Sequence, residues 1–249
     1  MSYLHGKFVW FEHMSGDTAA ASRFYSSLFG WTIGSFDMGG QNYLMINNGA
    51  DCIGGFRTAP GGAPSAWMSY LSVADVDASA RDAQAAGATM IMPPTDFPPV
   101  GRGATLVDPT GGTFSIWKGS QGDAPDVETA PIGSWFWNEL WTGDDITARA
   151  FYEKAFGYSF DTMDMGPAGT YYILTKDGKP RGGLMKSNKP GSRTLWLPYV
   201  LVANCDATLA KARQLGAEVL VPASDIPNVG RFAIVADTTN AAIAFITKA

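Results

Sequence analysis

Residues 8–31 read FVWFEHMSGDTAAASRFYSSLFGW, and residues 135–158 read WFWNELWTGDDITARAFYEKAFGY. Phe24 falls on Phe151 at an offset of 127 residues, and later matches keep nearly that spacing. Gly54-Gly55 matches Gly182-Gly183, and WMSYLSVADVD (67–77) matches WLPYVLVANCD (196–206). PPTDFPPVGR (93–102) matches PASDIPNVGR (222–231) at an offset of 129. So small a drift means that the two halves share one architecture nearly loop for loop. Between them KGSQGDAPDVETAP (118–131) has linker composition and no apolar periodicity. The expected organisation is a first domain over 1–118, a linker over 119–131 and a second domain over 132–249.

The order of elements also repeats inside each half. Residues 7–14 alternate as a strand, and Asp17 is placed to cap an Ala-rich helix with an apolar face of Ala21, Phe24, Tyr25 and Leu28. Gly30 sits where a helix ends in a left-handed residue. Short β runs follow near 31–37, 42–47 and 51–57, broken by turn residues such as the D-M-G at Asp37 and Asp164. The cycle then restarts with a strand at 66–73, a helix expected to be capped by Asp77 and to end at Gly87, and β runs near 89–92, 104–107 and 113–117. Asp144 and Asp206 are the corresponding caps of the second half. The pattern is βαβββ, twice per half, and predicts an α+β fold of four tandem βαβββ units, two per domain. A lone unit leaves one sheet face bare, so paired units are expected to form cleft-shaped sheets with the helices outside. Such clefts take small molecules.

Composition narrows the function classes. With 249 residues, 46% hydrophobic and 16% charged, the chain can build a core and is not disordered. A net charge of −5 argues against nucleic acid as a partner, which calls for a clustered Lys/Arg excess. No apolar run approaches the ~20 residues of a membrane span. The start, MSYLHGKFVWFEHMSGD, lacks the basic-then-apolar pattern of a leader, and Cys52 and Cys205 make no disulfide framework. The expectation is a soluble cytoplasmic protein, monomer or homodimer, whose partner is a small molecule.

The D-(x)6-FY-(x)3-FG[WY] signature at Asp17–Trp31 and Asp144–Tyr158 resembles the vicinal oxygen chelate superfamily, which holds glyoxalase I, bleomycin-resistance proteins and extradiol dioxygenases. The V-x-D-V-D at 73–77, A-G-A at 86–88 and D-P-x-G at 108–111 resemble the same group. The W-x-E on the first strand of each half is similar to two-domain glyoxalase-like proteins of the mycobacterial culture-filtrate antigen group. The resemblance implies a divalent metal held by His, Gln or Glu at set positions. The first-strand position falls on Trp10 and Trp137, the last-strand position on Ser115 and Ala244, and the strand opening the second unit supplies Met68 and Leu197. Of these only a serine hydroxyl has any capacity to ligate, and alone it is a poor ligand. No metal and no cofactor is therefore carried over. The two histidines, His5 and His13, supply no replacement set. His13 follows Glu12 and so faces the opposite side of the strand, where a surface or helix-contacting role is expected.

Alternation places Phe8, Trp10, Glu12 and Met14 on one face, and Trp135, Trp137, Glu139 and Trp141 on its repeat. Trp10, Met14, Met68, Ser115, Trp137, Trp141 and Leu197 are the expected ligand-lining residues. A carboxylate among tryptophans is a candidate base or a holder of a ligand's polar group. Glu12 and Glu139 are equally open to a scaffold role beside an internal cation, for which Arg102 and Arg231, each after V-G, are candidates. Tyr43/Tyr171, Trp67/Trp196 and Tyr70/Tyr199 recur as core or pocket residues according to register. The glycine pairs mark close strand packing or bulges. The halves differ at Phe11/Asn138, His13/Leu140 and Cys52/Pro180.

The leading reading is a metal-independent small-molecule-binding protein of the glyoxalase/bleomycin-resistance kind, holding an apolar or aromatic ligand. A second is a glyoxalase-like lyase or isomerase acting on 2-oxoaldehyde adducts, with Glu12 or Glu139 as base and Arg102 or Arg231 at the oxyanion. A third is an interaction or antigen-like protein.

Overall fold

The computed structural model describes residues 1–37, 40, 42–187 and 191–249; the Met38-Gly39 part of the first D-M-G turn lies outside the described residues. The elements of the first repeat are β1 (Phe8–Ser15), α1 (Thr18–Phe29), β2 (Thr32–Asp37), β3 (Asn42–Asn48), β4 (Asp51–Thr58), β5 (Ala66–Ser72), α2 (Val76–Ala85), β6 (Thr89–Phe97), β7 (Gly101–Val107) and β8 (Thr113–Gly119). The second runs β9 (Trp135–Thr142), α3 (Asp145–Phe156), β10 (Ser159–Asp164), β11 (Thr170–Lys176), β12 (Lys179–Lys186), β13 (Leu195–Leu201), α4 (Cys205–Gln214), β14 (Glu218–Ile226), β15 (Gly230–Ala236) and β16 (Ala242–Lys248). The fold is α+β, with four βαβββ modules. Strand order is β2-β3-β4-β1-β5-β8-β7-β6 in one sheet and β10-β11-β12-β9-β13-β16-β15-β14 in the other.

Local chemistry sets the helix ends. Asp17 accepts the Ala20 N–H at 2.8 Å and Asp144 the Thr147 N–H at 3.0 Å. Gly30 and Gly157 close α1 and α3 at φ of 77° and 66°, a region costly for side chains bearing a Cβ. The other two caps correct the sequence reading. Asp75, not Asp77, caps α2 by accepting the Ala78 N–H, and Asn204, not Asp206, caps α4 through Ala207. Asp77 and Asp206 lie inside the first turn, where the helix dipole also favours a negative charge.

Hydrogen bonding follows the repeats, but packing regroups them. One compact unit comprises Met1–Trp10, Ser69–Asp126 and Trp137–Trp196; the other comprises Phe11–Met68, Val127–Phe136 and Leu197–Ala249. In unit 1, α2 packs on α3 over a core that includes Leu71, Phe114, Ile116, Phe151, Tyr152 and Phe156. The Phe114, Phe151 and Phe156 rings meet edge to face at 5.7–6.2 Å, an arrangement worth about 0.5–1.5 kcal/mol per pair beyond burial. In unit 2, α1 packs on α4 over Phe24, Tyr25, Trp31, Phe56, Trp67 and Phe245. The segment between the repeats is tied down in unit 1, where Asp126 takes ion pairs from Lys7, Lys179 and Arg181 at 3.2, 3.0 and 2.6 Å. Arg181 and its neighbours hold the Asp126 carboxyl well below the usual carboxylate range. No helix among the described residues is long and apolar enough to cross a membrane.

Candidate functional site

The parallel pairing of β1 with β4 sets Glu12 opposite Gly55 and Met14 opposite Arg57. Because Gly55 has no side chain, the Tyr43 ring from β3 lies across it; a Cβ there would stand 2.6 Å from Tyr43 Cε1 and nearer still to the hydroxyl. From that position the Tyr43 O–H donates to Glu12 Oε1 at 2.8 Å. Arg57 Nε pairs with Glu12 Oε2 at 3.1 Å, and its Nη2 lies 3.6 Å from the Met14 sulfur. Glu12 is 4% exposed, so its burial as an ion depends on this compensation.

The second repeat uses the same backbone with other side chains. Gly183 pairs with Glu139 and Met185 with Trp141. Gly183 again makes room for a tyrosine, Tyr171, and for Trp137, whose Nε1 donates to the Tyr171 hydroxyl at 2.7 Å. Trp141 donates its indole N–H to Glu139. Both carboxylates are buried at the foot of half-buried aromatic or thioether side chains, but Met185 stands where the first repeat has Arg57.

Trp10 is half-buried on β1, Met68 and Leu197 are buried on β5 and β13, and Ser115 is buried on β8 with its hydroxyl 2.9 Å from that of Thr105. The register places Ser115 beside Tyr70 and Ala244 beside Tyr199. Trp67 and Trp196 belong to the core rather than to this face, their indoles bonding the buried Tyr25 and Tyr152 hydroxyls at 2.9 Å.

Arg102 and Arg231 do not serve the glutamates. Arg102 Nε and Nη2 grip Asp77, each at 2.9 Å, and Nη1 takes Asp96 at 2.9 Å. Arg231 holds Asp206 and Asp225 in the same way. The hydrogen bonds from Arg102 and Arg231 draw the Asp77 and Asp206 carboxyls below their ordinary range. Both guanidiniums are thus saturated by carboxylates on the first helical turn and on the neighbouring strand. Arg57, which pairs with Glu12, has methionine at the matching position of the other repeat and so leaves no mark in the repeat pattern.

His13 is fully buried and meets α1 rather than the glutamate face: its ring lies 5.4 Å from that of Tyr25, and Nε2 bonds Asp237 Oδ2 at 2.8 Å. Burial raises the Asp237 carboxyl, but hydrogen bonds from His13, Thr239 and Tyr25 outweigh it and hold the group below the usual range. Burial likewise drives the Tyr25 hydroxyl well above its ordinary value. The counterpart is Asp108, which accepts from Tyr152 at 2.8 Å with Leu140 in place of the histidine. This network is scaffold.

A divalent metal of the kind the fold family uses does not fit the residues present. Trp10, Trp137, Leu197 and Ala244 offer no donor, Met68 offers only a soft thioether, the Ser115 hydroxyl is engaged, and Glu12 stands beside a guanidinium that would repel a cation. Among the described residues no group of three His, Cys, Asp or Glu is placed to hold a metal.

Comparison with known proteins agrees with the fold. The description "Glyoxalase-like domain" matches residues 10–117. CFP32 of Mycobacterium bovis, named provisionally as a glyoxylase, is 32% identical over 253 residues, spanning 99% of this chain and 97% of its own length. The anthracycline biosynthesis protein DauV of a Streptomyces species is 31% identical over 96% of this chain and 92% of its own. The crystal structure of a Mn(II)-bound glyoxalase from Novosphingobium aromaticivorans superposes with a TM-score of 0.68 at 15% identity, covering 98% of this chain and 82% of that one. With a relative above 30% identity along nearly its whole length, the chain belongs to the glyoxalase-like family of the vicinal oxygen chelate fold.

Proposed function

We propose that this protein binds a small planar aromatic molecule, without a metal, on the glutamate-bearing face of each repeat. The observation that carries the reading is the composition of that face. Buried Glu12 has Tyr43 and Arg57 on it and Met14 beside that arginine, and buried Glu139 shares its strand face with Trp137 and Trp141, so each repeat sets one carboxylate among aromatic or thioether side chains to fix a polar group. Aromatic walls with a few placed polar groups suit orientation of a flat ligand. A relative named for anthracycline biosynthesis supports a polycyclic aromatic as the ligand class. The protein acts as monomer or homodimer, with neither nucleic acid nor membrane as partner. Titration of a diverse aromatic panel, followed by tryptophan fluorescence, tests the reading: saturable quenching supports it, and failure of every compound to quench refutes it.

The name of the mycobacterial relative favours a second reading, a glyoxalase-type isomerase with Glu12 or Glu139 as base. Turnover of a 2-oxoaldehyde adduct that vanishes in the Glu12→Gln, Glu139→Gln double variant would establish it.

A further inference from the structure

The three arginines Arg57, Arg102 and Arg231 each meet a carboxylate through Nε, yet they are not equally engaged. Arg102 closes a two-point grip on Asp77 and gives Nη1 to a second carboxylate, Asp96. Arg231 repeats this with Asp206 and Asp225. Arg57 meets Glu12 through Nε at 3.1 Å, and its Nη2 lies 3.6 Å from the Met14 thioether, a weak acceptor. The Arg57 side chain is 41% exposed, whereas its partner Glu12 is buried and keeps the guanidinium in place. A guanidinium presents a planar fork that matches a carboxylate, and this chain twice shows one fork serving two carboxylates at once. Among the described residues the outer edge of Arg57 meets no second carboxylate, and it lies on the face that also carries Tyr43 and Met14. In the second repeat the same register position is Met185, opposite Trp141.

We propose that Arg57 makes the first repeat's site selective for an aromatic carboxylate, the ligand's oxyanion filling the outer edge of the guanidinium, while Met185 makes the second repeat's site selective for an uncharged aromatic. The inference rests on the small-molecule reading above and adds the ligand class of each site. Glu12 is then the anchor of the arginine rather than a base, and Arg57 is the specificity-determining residue.

The test uses the full chain and two probes of one shape, 1-naphthoate and 1-naphthalenemethanol, titrated by calorimetry into wild type, Arg57→Met, Arg57→Lys and Met185→Arg. Loss of a charge-assisted fork should lower the naphthoate-to-alcohol affinity ratio by about 10-fold or more in Arg57→Met. Arg57→Lys, which keeps the charge without the fork, should lose part of the ratio. Met185→Arg should gain a second equivalent of naphthoate. This gain does not depend on the folding of the Arg57 variants, which circular dichroism checks. An unchanged ratio in folded Arg57→Met, or no added equivalent in Met185→Arg, overturns the assignment while leaving aromatic binding intact. Failure of both probes to bind wild type overturns the binding reading and the assignment with it.

Discussion

Replacing Gly55 with alanine should dismantle the first glutamate site from beneath. Gly55 is paired with Glu12 across β1 and β4, and the Tyr43 ring covers it. A methyl there would stand 2.6 Å from Tyr43 Cε1 and closer to Cζ and the hydroxyl. Comfortable carbon contact begins near ~3.5 Å, so the ring must withdraw by about 1 Å or more. The 2.8 Å bond from Tyr43 to Glu12 does not survive that displacement. The backbone at residue 55 is not left-handed, so the cost is overlap and not strain. Overpacking costs about 1–3 kcal/mol, and the lost bond to a charged group about 1.5–3 kcal/mol. Together they remove about 2.5–6 kcal/mol from a domain stability of about 5–15 kcal/mol. Urea denaturation should be run on wild type, Gly55→Ala, Tyr43→Ala and the double variant. Without the tyrosine ring both costs disappear, so Gly55→Ala should then cost less than about 1 kcal/mol, giving a coupling of at least about 1.5 kcal/mol. An equal cost in both backgrounds would show that Gly55 serves strand packing alone.

By thermal melting His13→Leu should cost less than His13→Ala: both lose the bond to Asp237, but Leu140 fills the same place in the other repeat, whereas alanine also leaves a cavity. Asp237 has a folded-state pKa below its unfolded value of about 3.9, so its contribution is full above that pH and is lost as pH falls through the folded value. Acid titration should therefore show a shallower loss of stability below about pH 4 in Asp237→Asn than in wild type. Protein incubated with zinc, nickel, manganese and iron should retain less than about a tenth of an equivalent of each by mass spectrometry, and a stoichiometric metal would bring the isomerase reading to the front.

Period-two alternation was enough to separate Glu12 from His13, because adjacent strand residues must point to opposite faces. The caps Asp17 and Asp144 were equally legible, each following a glycine immediately before a helical pattern. Where two candidates stand two residues apart, as with Asp75 and Asp77, sequence leaves the choice to backbone geometry, and the second carboxylate is released to bind Arg102. Arg57 stayed hidden because it has no counterpart: the glycine pair before it repeats and the arginine does not. The regrouping into units was hidden for another reason. Repeats predict which strands share hydrogen bonds, but the choice of α3 for α2 and α4 for α1 depends on complementary surfaces that all four modules offer in similar form.

The two repeats act as each other's control on what the fold requires. Tyr25, Trp67 and Asp237 in one unit and Tyr152, Trp196 and Asp108 in the other form the same buried contacts, as a shared scaffold demands. Gly55 and Gly183 are held in common because a tyrosine lies across each. Around the two carboxylates the chain is free of that demand, and there it differs: Met14 and Arg57 against Trp141 and Met185. Arg57 pairs with Glu12 in the first repeat, and the Trp141 indole N–H donates to Glu139 in the second. Divergence in the side chains above a common carboxylate is what two sites facing different ligands would produce, and it is the physical ground for treating the halves as non-equivalent.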